Sequence, residues 1–320
     1  MCVIAADTPD TGAVSACRTM VTMRLPGRRS LLAVLGGCVL VVATVPTVPA
    51  SARPAAADDP AVDALLQQRL GNPRVGSDVG LIVIDAATGT VVSSHGGDSL
   101  MLPASNMKIV TAVNVLATMG ADARFTTRVR AGATPNDLIL QGGGDPLLSS
   151  TDLQTLATVA ASAVPTGTKV VVHPDTSLFP PAGRGPGWTT GYLPYVAAPV
   201  VPLARLGDYS PDPAANATRV FVAKLRSLGI KAKLGEGATA AQSAPVLAQV
   251  SDNTVDDAVS VMLSRSENNV AEVLYRQVAL ATGHEPSWDG ARQAAEQTIG
   301  GLGVDPAGMS LLDGSGLSRK

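Results

Sequence analysis

Cysteine is confined to the start of this chain. Cys2, Cys17 and Cys38 are the only three in 320 residues, so beyond residue 38 neither a disulfide framework nor thiol chemistry is available. The histidines are equally few. His95, His173 and His284 are scattered and lack metal-ligand spacing, which removes support for a zinc peptidase, and no metal or cofactor is expected. Beyond Arg29 there is no block of lysine and arginine, and the formal net charge is -2. Nucleic acid is therefore excluded as a partner, because phosphate binding needs clustered positive charge. No apolar run reaches the roughly 20 residues of a comfortable membrane span. What the chain does have is 46% hydrophobic and 16% charged residues, enough to bury a large core as one large domain or two.

The N-terminus reads as a targeting segment. A basic stretch, Arg24 to Arg29, runs into the apolar segment Leu31 to Val45 and then into Ala50-Ser51-Ala52, an A-x-A cleavage pattern. Residues 1–52 are expected to be a secretory signal, with cleavage after Ala52 and a retained anchor as the alternative. A membrane would be met only through that segment. Met20 and Met23 are alternative starts, so residues 1–22 fall outside the expected fold. Leu35-Gly36-Gly37-Cys38 faintly matches a lipoprotein acceptor site, but Val39 to Val45 continues the apolar run past it. The expected location is outside the cytoplasm, in the cell envelope.

After a Pro/Ala-rich linker, Arg53 to Pro60, the pattern predicts a short amphipathic helix over Ala61 to Leu70. Two apolar runs, Asp78 to Asp85 and Thr90 to Ser94, flank the turn residues Ala86-Ala87-Thr88-Gly89 and predict a buried hairpin. Ser105 to Met119 is almost wholly apolar or small and predicts a helix buried on most sides. Short strands over Thr126 to Arg130, Asp137 to Gln141 and Lys169 to His173, with a helix over Asp152 to Ala163, mark a change of texture. A Pro/Gly-rich stretch from Pro180 to Pro202 follows, and the segment reads as an inserted second domain. Helical periodicity returns at Ala214 to Leu228, Val255 to Leu263, Val270 to Ala281 and Trp288 to Ile299.

Ser105 and Lys108 stand at i and i+3, so they share one face of their helix. Lys108 is the only charge between Pro103 and Ala121. A lysine among apolar neighbours has its ammonium destabilised and can serve as the base for an adjacent hydroxyl. Taken alone, the pair also fits a capping serine and a lysine that snorkels to solvent. Ser266-Glu267-Asn268 lies between two predicted helices, where a hydroxyl and an amide can point together into a cleft. Asn269 and Glu272 have capping-box spacing, which would explain the local polarity without chemistry.

Four segments in order carry a family resemblance: Pro103-Ala104-Ser105-Asn106-Met107-Lys108, Gly142-Gly143-Gly144-Asp145-Pro146, Ser266-Glu267-Asn268-Asn269-Val270-Ala271-Glu272, and Asp313-Gly314-Ser315-Gly316-Leu317-Ser318-Arg319. Together they resemble the D-alanyl-D-alanine carboxypeptidase/endopeptidase family, the class C low-molecular-mass penicillin-binding proteins. The resemblance implies an α+β fold with an antiparallel sheet flanked by helices. Residues 58–124 and 208–320 would form the peptidase domain, and residues 125–207 a smaller β-rich insert. It implies Ser105 as nucleophile, Lys108 as its base, Ser266 as proton relay and Asn268 as holder of the substrate amide. The Ser105 N–H would form half of an oxyanion hole. Asp175, in Asp175-Thr176-Ser177-Leu178-Phe179, resembles a family segment near the substrate side chain and is the candidate substrate contact. Asp145 and residues 313–319 are expected to be structural. The implied partners are peptidoglycan stem peptides, with β-lactams as inhibitors.

The sequence departs from the family in one respect. No Lys-Thr-Gly or Lys-Ser-Gly follows Arg319, and the sequence given ends at Lys320, so the C-terminal core strands and the third motif are expected to be missing and activity impaired. Two rivals follow: a non-catalytic wall-binding or sensor protein, and a serine β-lactamase. The second is disfavoured because Glu236 is the only glutamate between Lys108 and Ser266, in a context unlike that of a deacylating residue.

Overall fold

A computed structural model describes residues 60–165, 167–181 and 183–320, so the expected signal segment 1–52 lies outside the described residues. The chain divides after Ser99 into two compact units.

The first unit carries helix α1 (Pro60–Leu70) and strands β1 (Leu81–Ile84) and β2 (Val91–His95). The strands pair antiparallel. Their turn is closed by Asp85, whose side chain accepts the N–H groups of Ala87 and Thr88 at 2.8 and 2.9 Å. The hairpin is not buried as the apolar runs predicted. Ile82 and Ile84 are 43% and 47% exposed, so only one face of β1 is covered.

The second unit has two cores. In chain order its elements are α2 (Met107–Met119), β3 (Thr127–Ala131), β4 (Asp137–Gln141), α3 (Ser150–Ser162), β5 (Lys169–Asp175), α4 (Pro213–Ser227), β6 (Lys231–Leu234), β7 (Val246–Val250), α5 (Val255–Arg265), α6 (Asn268–Ala281) and α7 (Trp288–Gly301). Capping boxes start two of the helices, Ser149 with Asp152 for α3 and Thr254 with Asp257 for α5. The first core joins α2, α5, α6 and α7 around Met107, Val115, Met262, Leu274 and Tyr275.

The second core lies under a five-stranded sheet of order β6-β5-β4-β3-β7. Val129, Leu140 and Val172 pack there against Leu153 and Leu156 of α3 and Phe221 and Leu225 of α4. The β4–β5 and β5–β6 pairs are parallel, and α3 and α4 are their crossovers.

The α+β class is observed, but the inserted layer differs from expectation in extent and kind. It runs on to β7 rather than ending at residue 207. Ala214, Ala217, Phe221 and Leu225 of α4 belong to the sheet core and not to that of α2 and α5 to α7. It is also mixed in direction and carries two helices, and it is not simply β-rich. Periodicity showed that α4 had an apolar face, but not which core that face would enter. Strands β6 and β7 carried no signal strong enough to be read.

Candidate active site

Ser105 is exposed and lies in a single 3-10 turn, Ala104–Asn106, that leads into α2. Lys108, one turn on, is only 2% exposed. Its Nζ donates to Ser105 Oγ at 3.3 Å, to Asn268 Oδ1 at 2.8 Å and to the Ser315 carbonyl at 3.1 Å. All three donor directions of an ammonium are used, so the lysine does not snorkel. Burial pulls its pKa below the ordinary lysine value, opposed by the carboxylates of Glu272, Asp313 and Glu267.

Asn268 is the first residue of α6 and not part of a connection. Its Oδ1 faces Lys108, and its Nδ2 donates to the Val196 carbonyl at 2.8 Å. The capping-box reading fails. Glu267 is the N-cap residue, Asn269 Oδ1 accepts the Ala198 N–H at 2.9 Å, and Glu272 points to the C-terminal segment. Ser266 sits just before, exposed and in a left-handed conformation (φ 55°) at the end of α5. Its hydroxyl makes no hydrogen bond to Ser105 or Lys108, so it borders the cluster without joining it. Ala104 (φ 43°) and Ser266 are the only non-glycine residues of positive φ among those described. Ala104 immediately precedes Ser105, and Ser266 stands two residues before Asn268.

The segment Asp313–Gly316 closes the site from a third side. Gly314 O accepts from Thr111 Oγ1 at 2.7 Å, while Glu272, fully buried, accepts the N–H groups of Gly314 and Ser315 at 3.1 and 2.9 Å. Asp313 accepts from Trp188 Nε1 at 2.8 Å, Gly316 N at 2.7 Å and Ser318 N at 2.6 Å. Both glycines are required by space. A Cβ on Gly316 would lie 1.7 Å from the Ala104 carbonyl oxygen, and one on Gly314 would lie 2.5 Å from that of Ala271. The structural role expected for residues 313–319 is what the geometry provides.

Asp175 is a correction. It is 1% exposed, and its oxygens accept from Gln141 Nε2, Ser177 N and Ala240 N at 3.1, 2.9 and 3.0 Å. A buried carboxylate so engaged pins β5 to its neighbours, and at that burial it presents no exposed face to a substrate. Asp145 is structural as expected, accepting from Leu147 N and Asn253 Nδ2 at 2.9 Å each.

Sequence reasoning missed Thr111, Glu272 and the carbonyls of Val196 and Ser315. For the side chains a signal existed. Thr111 follows Lys108 by three residues and Glu272 follows Asn268 by four, so each shares a helix face with a site residue.

The comparison that decides the family is a match to the profile of D-Ala-D-Ala carboxypeptidase 3 (S13) over residues 62–209 and 190–320. The chain belongs to the D-Ala-D-Ala carboxypeptidase 3 (S13) family. S13 relatives include a D-alanyl-D-alanine carboxypeptidase of Actinomadura sp. (strain R39), 30% identical over 81% of this chain and 64% of that protein. A carboxypeptidase of Mycobacterium tuberculosis is 30% identical over 86% of this chain and 63% of its own length. The chain thus spans a little under two thirds of these relatives. Penicillin binding protein 4 of Haemophilus influenzae shares the fold, with a TM-score of 0.66 at 21% identity over 80% of this chain and 74% of that one.

Proposed function

We propose that the chain is the acylating part of a serine-type D-alanyl-D-alanine peptidase acting on peptidoglycan stem peptides, with Ser105 as nucleophile. The observation that carries this reading is Lys108 Nζ, buried and shared among Ser105 Oγ, Asn268 Oδ1 and Ser315 O. The neutral amine of Lys108 takes the Ser105 proton as Oγ attacks the carbonyl carbon of the penultimate D-alanine. The Ser105 N–H faces the oxygen that gains charge. The carbon–nitrogen bond then breaks, terminal D-alanine leaves as an amine protonated by Lys108, and an ester on Ser105 remains for water to hydrolyse. Asn268 holds the substrate amide once it exchanges its contacts with Lys108 and Val196. A β-lactam follows the same first step, but its leaving nitrogen stays tethered, which makes it an inhibitor. Residues 24–52 supply export to the cell envelope, where such substrates are found. The family membership supports the reaction class.

Intact mass after incubation with benzylpenicillin tests the reading. One adduct per chain, mapped to Ser105 and absent from Ser105→Ala, is expected, together with D-alanine release from a pentapeptide stem. No adduct, or an adduct on Ser266, would overturn it.

A further inference from the structure

Residues 314 and 315 form a bridge between two helices. Their N–H groups point to α6, where the two oxygens of Glu272 accept them at 3.1 and 2.9 Å. Their carbonyls point to α2, where Gly314 O meets Thr111 Oγ1 at 2.7 Å and Ser315 O meets Lys108 Nζ at 3.1 Å. Glu272 is 0% exposed, so no water competes for its oxygens. The bridge has little slack, because Gly314 abuts the backbone of α6 and Gly316 abuts Ala104, the residue before the nucleophile.

We propose that Glu272 is a positioning residue of this site: its carboxylate fixes Gly314 and Ser315, and through the Ser315 carbonyl it holds Lys108 Nζ beside Ser105. The inference rests on the reading of Lys108 as the base. Two N–H donors aimed at two oxygens demand a group that only accepts, which an ionised carboxylate is and an amide is not. A glutamine would satisfy one N–H and set its own NH2 against the other. Burial and the surrounding charge act the other way, so the hydrogen bonds from Gly314 and Ser315 are what favour the acceptor-only form. Glu272 faces Lys108 on α2, Asp313 on the C-terminal segment, and Tyr275 and Arg276 on its own helix. Burial, and next the Asp313 charge, push its carboxyl up to about 8, while the hydrogen bonds from Ser315 and Gly314 oppose them and favour the ionised form. Nothing in this arrangement places Glu272 against a substrate. It acts through Ser315 and Lys108.

The test uses the full chain with Glu272→Gln and Glu272→Asp. Amide hydrogen exchange is read at Gly314 and Ser315, and penicillin acylation is separated into its non-covalent binding constant and its chemical rate. In Glu272→Gln the two amides should exchange about tenfold faster, the value of one hydrogen bond lost from a buried turn. The amides of α5 and α7 should be unchanged. The chemical rate should fall about 10²-fold, the cost of a misplaced catalytic group, with binding within about threefold. Glu272→Asp should recover part of that rate, since it keeps an acceptor-only group one methylene short. If Glu272→Gln does not fold, Glu272→Asp carries the test with the same signs and smaller changes. Unchanged exchange at Gly314 and Ser315 overturns the proposal, as does loosening spread evenly over the chain with equal losses in binding and rate. If the unsubstituted chain forms no acyl-enzyme, the proposed reaction fails, and the exchange result alone decides the clamp.

Discussion

Lys108 Nζ lies 2.8 Å from Asn268 Oδ1 across a sequence separation of 160 residues. The first turn of α2 and the first turn of α6 therefore meet at one buried amine, and the exposed hydroxyl of Ser105 stands beside it.

Lys108→Met should separate chemistry from packing. The thioether fills much of the lysine volume and removes a buried charge, which offsets the loss of the donor to Ser105 Oγ, Asn268 Oδ1 and the Ser315 carbonyl, so stability should change by less than about 2 kcal/mol. Penicillin acylation should drop about 10²- to 10⁴-fold, the usual contribution of a positioned base. Rapid-quench labelling and urea unfolding of the same sample check both halves. Unimpaired labelling of the folded variant would assign the base elsewhere.

Gly316→Ala tests the fit between the C-terminal segment and the nucleophile. The added methyl would collide with the Ala104 carbonyl at a position of φ 79°. Acylation should fall about 10²-fold through displacement of Ser105, and stability by about 2 kcal/mol. A variant with the parent's labelling rate would show that the 3-10 turn can move without consequence.

Asp175→Ala should behave as a structural lesion. It orphans the donors of Gln141, Ser177 and Ala240, at a cost of about 3 kcal/mol in urea unfolding. The acylation constants of the protein that remains folded should not move. A selective rise in the binding constant for stem peptides would restore Asp175 to the substrate site.

Asp145 gives a pH signature. Burial, only partly opposed by the hydrogen bonds from Asn253 and Leu147, raises its pKa from 3.8 to about 6. Because the folded state holds this proton more tightly than the unfolded chain, its contribution to stability falls as pH rises from about 4 to 6, by about 2–3 kcal/mol. Urea midpoints across that range should decline in the parent and flatten in Asp145→Asn. A parent profile no steeper than that of the variant would show that the carboxyl ionises freely.

The helices and the reactive pair were legible because they rest on local rules. Spacing placed Ser105 and Lys108 on one face, apolar neighbours predicted a depressed lysine, and periodicity found every helix of the second unit. The capping-box spacing of Asn269 and Glu272 was equally local and misled, because each side chain found a partner outside α6, at Ala198 and at Gly314–Ser315. Strands β6 and β7 were not read, since a short edge strand such as Lys231–Leu234 carries too few alternations to stand out.

What the sequence alone determined is the chemistry available: a hydroxyl and an amine one turn apart, an amide close to a later helix, and the order of motifs that places the chain in its family. Tertiary structure decided which groups that chemistry uses. Asp175 looked like a substrate contact and Glu272 like a cap. Whether a carboxylate meets a ligand or backbone and side-chain donors depends on contacts 34 and 65 residues away for two of the three donors to Asp175, and 42 and 43 residues away for both donors to Glu272. No local pattern encodes such contacts, because hydrogen-bond partners in a folded core are set by which elements pack together and not by their neighbours in the chain.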